Sequence, residues 1–552
     1  MTEALKIVPL GGLGEIGLNT LVMEYGRDIL VIDAGLMFPD AYMPGVDLVI
    51  PDFQYLKDKQ DGMRGLILTH GHEDHIGAMP FFLRDFSVPV FGTAFTLALL
   101  KEKLREHDLL DRVDLRPVKA GDVTMIGPFT VEYISVNHSI VDGVGLAVNT
   151  PQGTVVHSGD FRIDPTPVDG RVTDLGRFAH YGEQGVLAFF SDSTNAEKEG
   201  FTLSEKDVRK TLEDLFQSSA GRLIVAVFAS NICRIQQVID LAVKSGRKVV
   251  FNGKSMLTNV AIAREQGFIT MPDDVEIGER KIAQYPDDQI AVITTGSQGE
   301  PMSALTRMAE KRHKSIQIKT GDTIILSSRF IPGNERAITS VINRLFRMGA
   351  DVVYEKVSEI HTSGHARQEE LKLMLSLVKP RYFIPIHGEY RHLVRHAQLA
   401  QDMGLPEERV FLAENGQVLC FENQEARRHG TVPTGRILVD GKGVGDVGDF
   451  VLRDRRRLSG HGVVIVLLAV DESTGDTVYG PEILSRGFVF EEQQASLLQE
   501  ARGIVLALLD GMEGPAPIDI ETLKSEIERR LKRFFYNAIE RRPLILPTII
   551  QV

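Results

Sequence analysis

The run Thr69–His75, with the sequence THGHEDH, limits the fold and chemistry of this chain more than any other stretch. It follows an apolar segment, Gly65–Thr69, that predicts a β-strand, and it precedes helical periodicity over Ile76–Phe86. A strand end and its loop can direct the first two histidines towards one metal ion, and the aspartate and last histidine towards a second. Neutral imidazole and carboxylate suit Zn²⁺ or Mn²⁺. A polar loop that is His-rich by chance is disfavoured, because the chain has only 15 histidines in 552 residues.

Composition and charge indicate a globular, multidomain protein. The net charge is −13, from 62 Lys and Arg against 75 Asp and Glu. This acidic balance disfavours coating nucleic acid by bulk charge, although a local basic channel remains compatible with it. No apolar run approaches the ~20 residues that a bilayer requires, and the N-terminus shows no secretory signal. Two cysteines cannot form a disulfide framework, so we predict a cytoplasmic protein. Because no apolar run is long enough for a bilayer, we expect no membrane partner.

The pattern of apolar segments changes along the chain. Short strands dominate the first 200 residues, whereas strands and helices alternate from Ser204 to about residue 360, which is typical of a parallel α/β unit. The stretch 436–460 is rich in glycine and arginine and is interpreted as a linker. A small α/β module follows it. The loop Gly11–Gly17 is like a dinucleotide fingerprint only superficially, because a strand-rich segment follows it, and we expect it to shape the rim of the metal site.

The spacing HxHxDH resembles that of the metallo-β-lactamase superfamily. Further matches occur in the same order: Asp33 in VIDAG, His138 in VNHS and Asp160 in HSGDF. The motifs SDST at 191–194, HTSGHA at 361–366 and IPIHGE at 384–389 extend the likeness to the β-CASP nucleases. With the linker and C-terminal module, the whole chain resembles the bacterial ribonuclease J family.

The resemblance implies an α/β fold: a metallo-β-lactamase αββα sandwich with an inserted β-CASP α/β domain, a Gly-rich linker and a small α/β C-terminal domain. The expected boundaries are 1–203 and 357–435 for the two parts of the sandwich and 204–356 for the insertion. Residues 436–460 form the linker, and 461–552 form an oligomerisation domain.

The resemblance also implies a site with two divalent ions, zinc or manganese. One ion is bound by His70, His72 and His138, the other by Asp74, His75 and His387, and Asp160 bridges both. Asp33 is expected to orient a ligand imidazole. Water activated by the two ions would hydrolyse a phosphodiester. Asp74, Asp192 and His365 are the candidate catalytic groups, with His365 protonating or stabilising the leaving oxygen and Asp192 orienting it.

Two loops are expected to bind substrate. The first contains Ser230 and Asn231 at a strand-to-helix junction, where free N–H groups and the helix dipole favour phosphate. The second is the segment His361, Thr362, Ser363, Gly364 and His365. In similar proteins these loops form the pocket for a nucleotide 5′-monophosphate. Simple N-capping by Ser230 and Asn231 remains an alternative.

A structural calcium or manganese ion is a further expectation. Asp47 and Asp440 lie in Gly- and Pro-rich loops, where carboxylates and backbone oxygens serve hard cations. The alternative is that both are ordinary turn residues.

The leading hypothesis is a metal-dependent ribonuclease, a 5′-to-3′ exonuclease that favours 5′-monophosphate RNA and is also an endonuclease, in mRNA decay and rRNA maturation. The alternatives are a DNA-processing β-CASP nuclease, a small-molecule metallo-hydrolase or a scaffold without metals. The expected partners are single-stranded RNA, other copies of the chain in a homodimer or homotetramer, and components of an RNA-degradation complex.

Overall fold

The computed structural model describes residues 3–40, 42–300, 302–328, 330, 334–355, 360–472, 476–488, 491–511 and 519–552. The chain forms two compact units. The first comprises Met1–Met37 and Ile50–Arg436, and the second comprises Phe38–Val49 and Ile437–Val552. None of the helices in these ranges is both long and apolar enough to cross a membrane.

The strands are β1 Leu5–Gly11, β2 Leu13–Gly14, β3 Thr20–Tyr25, β4 Asp28–Ile32, β5 Leu48–Pro51, β6 Met63–Ile67, β7 Val90–Thr93, β8 Leu115–Val118, β9 Val123–Ile126, β10 Phe129–Ser135, β11 Val144–Thr150, β12 Gly153–His157, β13 Val186–Asp192, β14 Leu223–Ala226, β15 Lys248–Asn252, β16 Ile290–Thr294, β17 Thr323–Leu326, β18 Asp351–Tyr354, β19 Pro380–Ile386, β20 Gly388–Glu389, β21 Gln417–Glu422, β22 Glu425–Thr431, β23 Arg436–Asp440, β24 Gly443–Val444, β25 Val463–Val470, β26 Thr477–Arg486 and β27 Leu544–Gln551. The α-helices are α1 Gln54–Lys57, α2 Glu73–Ile76, α3 Met79–Asp85, α4 Ala94–Glu106, α5 Leu175–Gln184, α6 Glu205–Ser218, α7 Ile232–Lys244, α8 Lys254–Glu265, α9 Ala304–Ala309, α10 Glu335–Arg347, α11 Gln368–Val378, α12 Tyr390–Asp402, α13 Asp449–His461, α14 Glu491–Asp510 and α15 Ile520–Ile539.

Two sheets face each other in the first unit. One has the order β22-β21-β1-β3-β4-β6-β7-β8 and the other β19-β13-β12-β11-β10-β9. Successive side chains of a strand point to opposite faces of its sheet. Phe129, Val131 and Tyr133 of β10 therefore enter the core between the two sheets. Ile134 instead joins the layer that α5 and α11 cover. The αββα sandwich is confirmed.

The insertion contains a parallel five-stranded sheet with the order β15-β16-β14-β17-β18. Its strands are continuous apolar runs, such as Leu223–Ala226, because helices cover both faces of a parallel sheet. After the insertion, β19 pairs in parallel with β13 and so returns the chain to the sandwich. The domain boundaries stay predictions, and the one between 356 and 357 lies outside the described residues.

The second unit contains a sheet with the order β26-β25-β27, against which α14 and α15 pack. Leu523, Ile527, Leu531 and Phe535 of α15 are fully buried at helical spacing. The stretch predicted as a linker contains β23, β24 and α13. Helix α13 has Asp449 in its first turn, and Gly462 follows its last residue at φ 75°. An acidic residue at the start of a helix and a glycine just after it are ordinary helix boundaries. The glycine-rich composition of the stretch obscured them.

Candidate metal centre

The ends of several strands meet at one edge of the sandwich. β12, β13 and β19 run parallel in one sheet, so their carboxyl ends lie together. Asp160 follows β12, Asp192 ends β13 and His387 follows β19. His387 has φ 52°, a left-handed conformation that a non-glycine residue keeps only where its surroundings enforce it. This edge is where a sheet of this kind positions functional side chains.

Three histidines form the first group of possible ligands, His70, His72 and His138. His72 Nδ1 lies 3.2 Å from His70 Nε2 and 3.0 Å from His138 Nε2. Ligand nitrogens about 2.0–2.1 Å from a tetrahedral zinc ion would be ~3.3 Å apart. The three nitrogens are therefore spaced as one ion requires.

The second group contains Asp74, His75, Asp160 and His387. Asp160 Oδ2 lies 3.3 Å from His75 Nε2 and 3.0 Å from His387 Nε2. Asp74 Oδ2 is 3.8 Å from each of the same two nitrogens. Two imidazoles and two carboxylates thus converge on a second point.

The carboxylate of Asp160 faces both groups. Its Oδ2 atom is also 3.7 Å from His70 Nε2 and 3.7 Å from His138 Nε2. The side chain is 3% exposed. One buried oxygen therefore lies within 4 Å of four imidazole nitrogens drawn from two ligand groups.

Neighbouring acceptors orient the ligand imidazoles. His75 Nδ1 donates to Asp33 Oδ2 (2.7 Å) and His138 Nδ1 donates to the carbonyl of Gly364 (2.8 Å). His387 Nδ1 lies 3.0 Å from Asn19 Oδ1. Since a carboxylate or carbonyl oxygen cannot donate, each Nδ1 carries a proton, and Nε2 is the nitrogen of each of these rings that faces Asp160.

The hydroxyl of Thr69 extends the same arrangement to His70. It donates to Asp33 Oδ2 (2.8 Å), and its oxygen lies 3.1 Å from His70 Nδ1. Asp33 therefore orients His75 directly and His70 through Thr69. This placement agrees with the orienting role predicted for Asp33.

Burial and charge divide the imidazoles into two kinds. Burial lowers the pKa of His72 to about 4 and lowers the pKa values of His70 and His138. Burial also opposes the charged form of His387, but the carboxylate of Asp160 outweighs it and raises the pKa to about 9. Burial would raise the pKa of Asp160, yet the surrounding imidazoles hold it well below its usual range. Imidazoles and carboxylates are a donor set that fits zinc, which binds the rings of His75 and His387 once they have lost the second proton.

His365 lies beside this centre with Asp192. Its Nδ1 is 2.8 Å from Asp192 Oδ2 and 4.0 Å from Asp160 Oδ2. Burial lowers the pKa of His365, but Asp192 more than offsets this effect and the net shift is upward. Asp192 is 1% exposed and also accepts from the backbone and hydroxyl of Thr194. The predicted pair is thus in contact.

The two predicted substrate loops have different local structure. Asn231 is buried and its side chain accepts from the backbone N–H of Arg234, so it is the N-cap of α7. Ser230 is half-buried. These contacts agree with the N-capping alternative and leave phosphate binding a prediction.

In the second loop, Thr362 and Gly364 are buried, whereas His361, Ser363 and His365 are partly accessible. Ser363 Oγ accepts from Asn195 Nδ2. The loop therefore contains three partly accessible side chains, of which His365 lies beside the metal-ligand groups.

The two aspartates predicted to bind a structural ion have partners within the second unit. Asp440 pairs with the guanidinium of Arg455, and Asp47 accepts from the backbone N–H of Gly441 (2.7 Å). Among the residues that the structure describes, neither belongs to a group of His, Cys, Asp or Glu spaced to bind a metal ion. These contacts agree with the alternative of turn residues, and the ion stays a prediction.

Some residues at the site escaped the sequence analysis. Asn19 donates to the carbonyl of Asp74 (2.9 Å) and contacts both His75 and His387. The sequence feature that comes nearest to indicating Asn19 is the glycine loop Gly11–Gly17. In that loop the carbonyl of Gly12 accepts from the backbone N–H of His387. The predicted rim role of that loop is consistent with this contact. Arg162, which donates to the carbonyl of Ser363, was also missed.

Family models match most of the chain. Residues 13–224 match the metallo-beta-lactamase superfamily, and 220–345 match the model described as "Ribonuclease J, beta-CASP domain". Residues 349–413 match "Zn-dependent metallo-hydrolase RNA specificity domain", and 450–552 match "Ribonuclease J C-terminal domain".

Full-length relatives share about two-fifths of the sequence. "Ribonuclease J2" of Bacillus subtilis is 43% identical over 100% of this chain and 99% of its own. "Ribonuclease J 1" of Streptococcus pyogenes is 42% identical, with 99% and 97% covered, and "Ribonuclease J" of Thermus thermophilus is 43% identical, with 100% and 96% covered. A solved protein of unknown function from Enterococcus faecalis, 15% identical with a TM-score of 0.53, covers 76% of this chain and 100% of its own and supports the fold alone.

Replacing Gly364 by alanine tests the contact between the HTSGHA loop and the ligand imidazoles. An added Cβ would lie 2.7 Å from His138 Nδ1 and 2.8 Å from the backbone nitrogen of Ser139. We expect Gly364→Ala to displace His138 and to lower both bound zinc, measured by atomic emission, and turnover by at least tenfold. Gly278→Ala is the matched control, because its Cβ would meet no atom within 4 Å. Full zinc content in Gly364→Ala would contradict the arrangement.

Proposed function

Because the chain belongs to the ribonuclease J family and is a hydrolase of RNA phosphodiesters, we propose that it removes nucleotides from the 5′ end of single-stranded RNA. We propose that RNA with a 5′-monophosphate is the preferred substrate and that internal cleavage occurs at the same site. Of the hypotheses drawn from the sequence, family membership favours this one over a DNA-processing nuclease or a small-molecule hydrolase. A scaffold without metals is disfavoured because all seven proposed ligands converge.

The protein is a zinc-dependent metallo-hydrolase. We propose that it binds two ions, with His70, His72 and His138 around one, Asp74, His75 and His387 around the other, and Asp160 between them. Two divalent cations at such a site lower the pKa of water and stabilise the charge of a phosphoryl displacement. The single observation that supports this proposal most is the position of Asp160 Oδ2, 3.0–3.7 Å from four ligand nitrogens.

The leaving 3′-oxygen needs a proton, and His365 is proposed to supply it. Its Nδ1 is held by Asp192, so the ring is fixed in direction and Nε2 is left for the substrate. Asp192 acts on His365 as an orienting partner. We propose Asp74 as the third catalytic group, because its carboxylate lies beside the imidazoles of His75 and His387.

The 5′ end is proposed to bind in the inserted domain. The start of α7, beside Ser230, is suited to a terminal phosphate because the helix dipole attracts negative charge there. We propose the accessible side chains of His361, Ser363 and His365 as the second half of the pocket. A bound terminal phosphate would place the first phosphodiester over the metal-ligand groups.

The cellular part of the proposal concerns location and partners. The described cysteines, Cys233 and Cys420, are both free thiols, in keeping with a reducing cytoplasm. There we propose that the enzyme acts in mRNA decay and rRNA maturation, with partners from an RNA-degradation complex.

Self-association is proposed through the outer face of the C-terminal sheet. Leu484, Ile465 and Leu546 lie side by side across its three strands. The exposed fractions of Leu484 and Leu546 are 48% and 43%, and that of Ile550 in the same strand as Leu546 is 50%. The helices α14 and α15 pack on the opposite face, and an apolar sheet face favours burial against another surface. We propose that a second copy of the chain covers it, giving a homodimer or homotetramer.

The end of the RNA provides the test of the proposed activity. One RNA sequence is prepared with a 5′-monophosphate, a 5′-triphosphate or a 5′-hydroxyl, beside a matched DNA, and mononucleotide release is measured. We expect the monophosphate form to be degraded fastest and the DNA to resist. Equal rates for the three RNA forms would contradict a pocket for the terminal phosphate.

Replacing His365 by alanine tests the proton donor. We expect His365→Ala to lower turnover by ~10²–10⁴, the usual range for the loss of acid–base help, with zinc content unchanged. His180→Ala, a change of an exposed histidine on α5, is the control. Turnover near that of the unaltered protein would reject the role.

Introducing charged side chains on the outer face of the C-terminal sheet tests self-association. The double variant Leu484→Glu/Leu546→Glu is expected to lower the molar mass measured by light scattering, because ionised carboxylates oppose burial. Met125→Glu changes a residue that is 79% exposed on β9 and serves as the control. An unchanged molar mass in the double variant would contradict the proposed interface.

A further inference from the structure

The segment 360–365 is held in place through its backbone carbonyls. Arg234 Nη1 donates to the carbonyl of Ile360 (2.6 Å), and Arg162 Nη1 donates to that of Ser363 (3.3 Å). Arg162 Nη1 also lies 3.4 Å from the hydroxyl of Thr362. Two guanidinium groups therefore fix the chain immediately before His365.

One carboxylate joins these two arginines. Glu205 Oε2 accepts from Arg234 Nη2 (2.7 Å), and Glu205 Oε1 lies 3.4 Å from Arg162 Nη2. Gln237 Nε2 donates to Glu205 Oε2 (2.9 Å). Burial would raise the pKa of Glu205, but Arg234 and Arg162 outweigh it and lower the pKa to about 2. The carboxylate is therefore ionised.

All three charged side chains are buried, with exposed fractions of 0% for Arg234, 3% for Glu205 and 4% for Arg162. A buried ion cluster adds little stability compared with apolar residues of the same size, because its members lose their hydration. Such a cluster is better explained by what it positions. The charge of Arg162 is shared with Asp164, whose Oδ2 lies 3.6 Å away.

The cluster joins separate parts of the first unit. Arg162 comes two residues after Asp160, and its backbone N–H donates to the carbonyl of Asn137 (2.8 Å), next to His138. Arg234 lies in α7, in the inserted domain, and Glu205 is the first residue of α6. Fixing Arg162 and Arg234 to one carboxylate therefore connects the inserted domain to the loop of His365.

We propose that Glu205 is a positioning residue for RNA hydrolysis. Its carboxylate aligns Arg162 and Arg234, whose guanidinium groups set the path of residues 360–363 and so the place of His365 beside the metal-ligand groups. This inference rests on the proposed function, in which His365 protonates the leaving oxygen.

The variant Glu205→Gln keeps the size of the side chain and removes its charge. We expect kcat per bound zinc to fall by about 10²-fold, the scale of a misplacement near 1 Å, with a smaller rise in KM for RNA because residues 361–363 also belong to the proposed pocket. Arg162→Lys keeps a positive charge but loses the planar fork that reaches both Glu205 and Ser363. The same loss of kcat is expected there, so the test survives poor folding of Glu205→Gln.

A matched control lies elsewhere in the insertion. Arg222 and Asp322 form a buried ion pair with exposed fractions of 3% and 2%, and their recorded partners lie outside residues 360–365. Asp322→Asn is expected to lower the melting temperature while leaving kcat unchanged at a temperature where both proteins are folded. A similar loss of kcat in Asp322→Asn would overturn the proposal, since general destabilisation would then explain the effect.

The double variant Glu205→Gln/His365→Ala separates positioning from other effects. If Glu205 acts through His365, single-turnover rates should fall less than threefold when Glu205→Gln is added to His365→Ala. Additive losses would overturn the proposal and leave the role of His365 intact. Full activity in His365→Ala alone would instead reject the proposed role of His365 as proton donor, and the inference with it.

Discussion

The site depends on one oxygen of Asp160, which faces four imidazole nitrogens. A buried carboxylate is costly unless positive charge surrounds it. Here the histidines of the second group supply that charge in part, which is why the pKa of His387 rises to about 9. Those of the first group are neutral because burial lowers their pKa values. Divalent cations would replace this positive charge at the second group and would bind the neutral nitrogens of the first, so that both groups would be satisfied at once.

The arrangement is built from strand ends and the residues behind them. Asp33, Thr69 and Asn19 fix which nitrogen of His70, His75 and His387 faces the centre. The carbonyl of Gly364 does the same for His138, from a loop more than 200 residues later in the chain. Because this loop also contains His365, the proposed proton donor and the first ligand group are placed by one segment.

Much of this could be predicted because its signals are local. The run from His70 to His75 places four ligands in six residues, and short apolar runs predicted the strands. The resemblance then supplied the distant ligands His138, Asp160 and His387, which lie together in the structure. The sequence alone could not have paired them, because spacing does not show which strand ends meet.

Other features depended on tertiary contacts that no pattern reveals. Arg234 lies in an amphipathic helix where an arginine predicts a solvent-facing position, yet it is fully buried because Glu205 and two carbonyl or hydroxyl acceptors receive it. Asn19 follows a glycine loop, and its side chain contacts His387, 368 residues later in the chain. The composition of the stretch 436–460 predicts a linker, because composition alone does not reveal where α13 begins and ends.

Anomalous diffraction from crystals grown with zinc or manganese tests the central claim most directly. The account predicts two peaks per chain, about 3.5–4 Å apart, one beside His70, His72 and His138 and the other beside Asp74, His75 and His387. The oxygen of Asp160 should lie within bonding distance of both. A single peak, or two peaks of which Asp160 contacts neither, would contradict it.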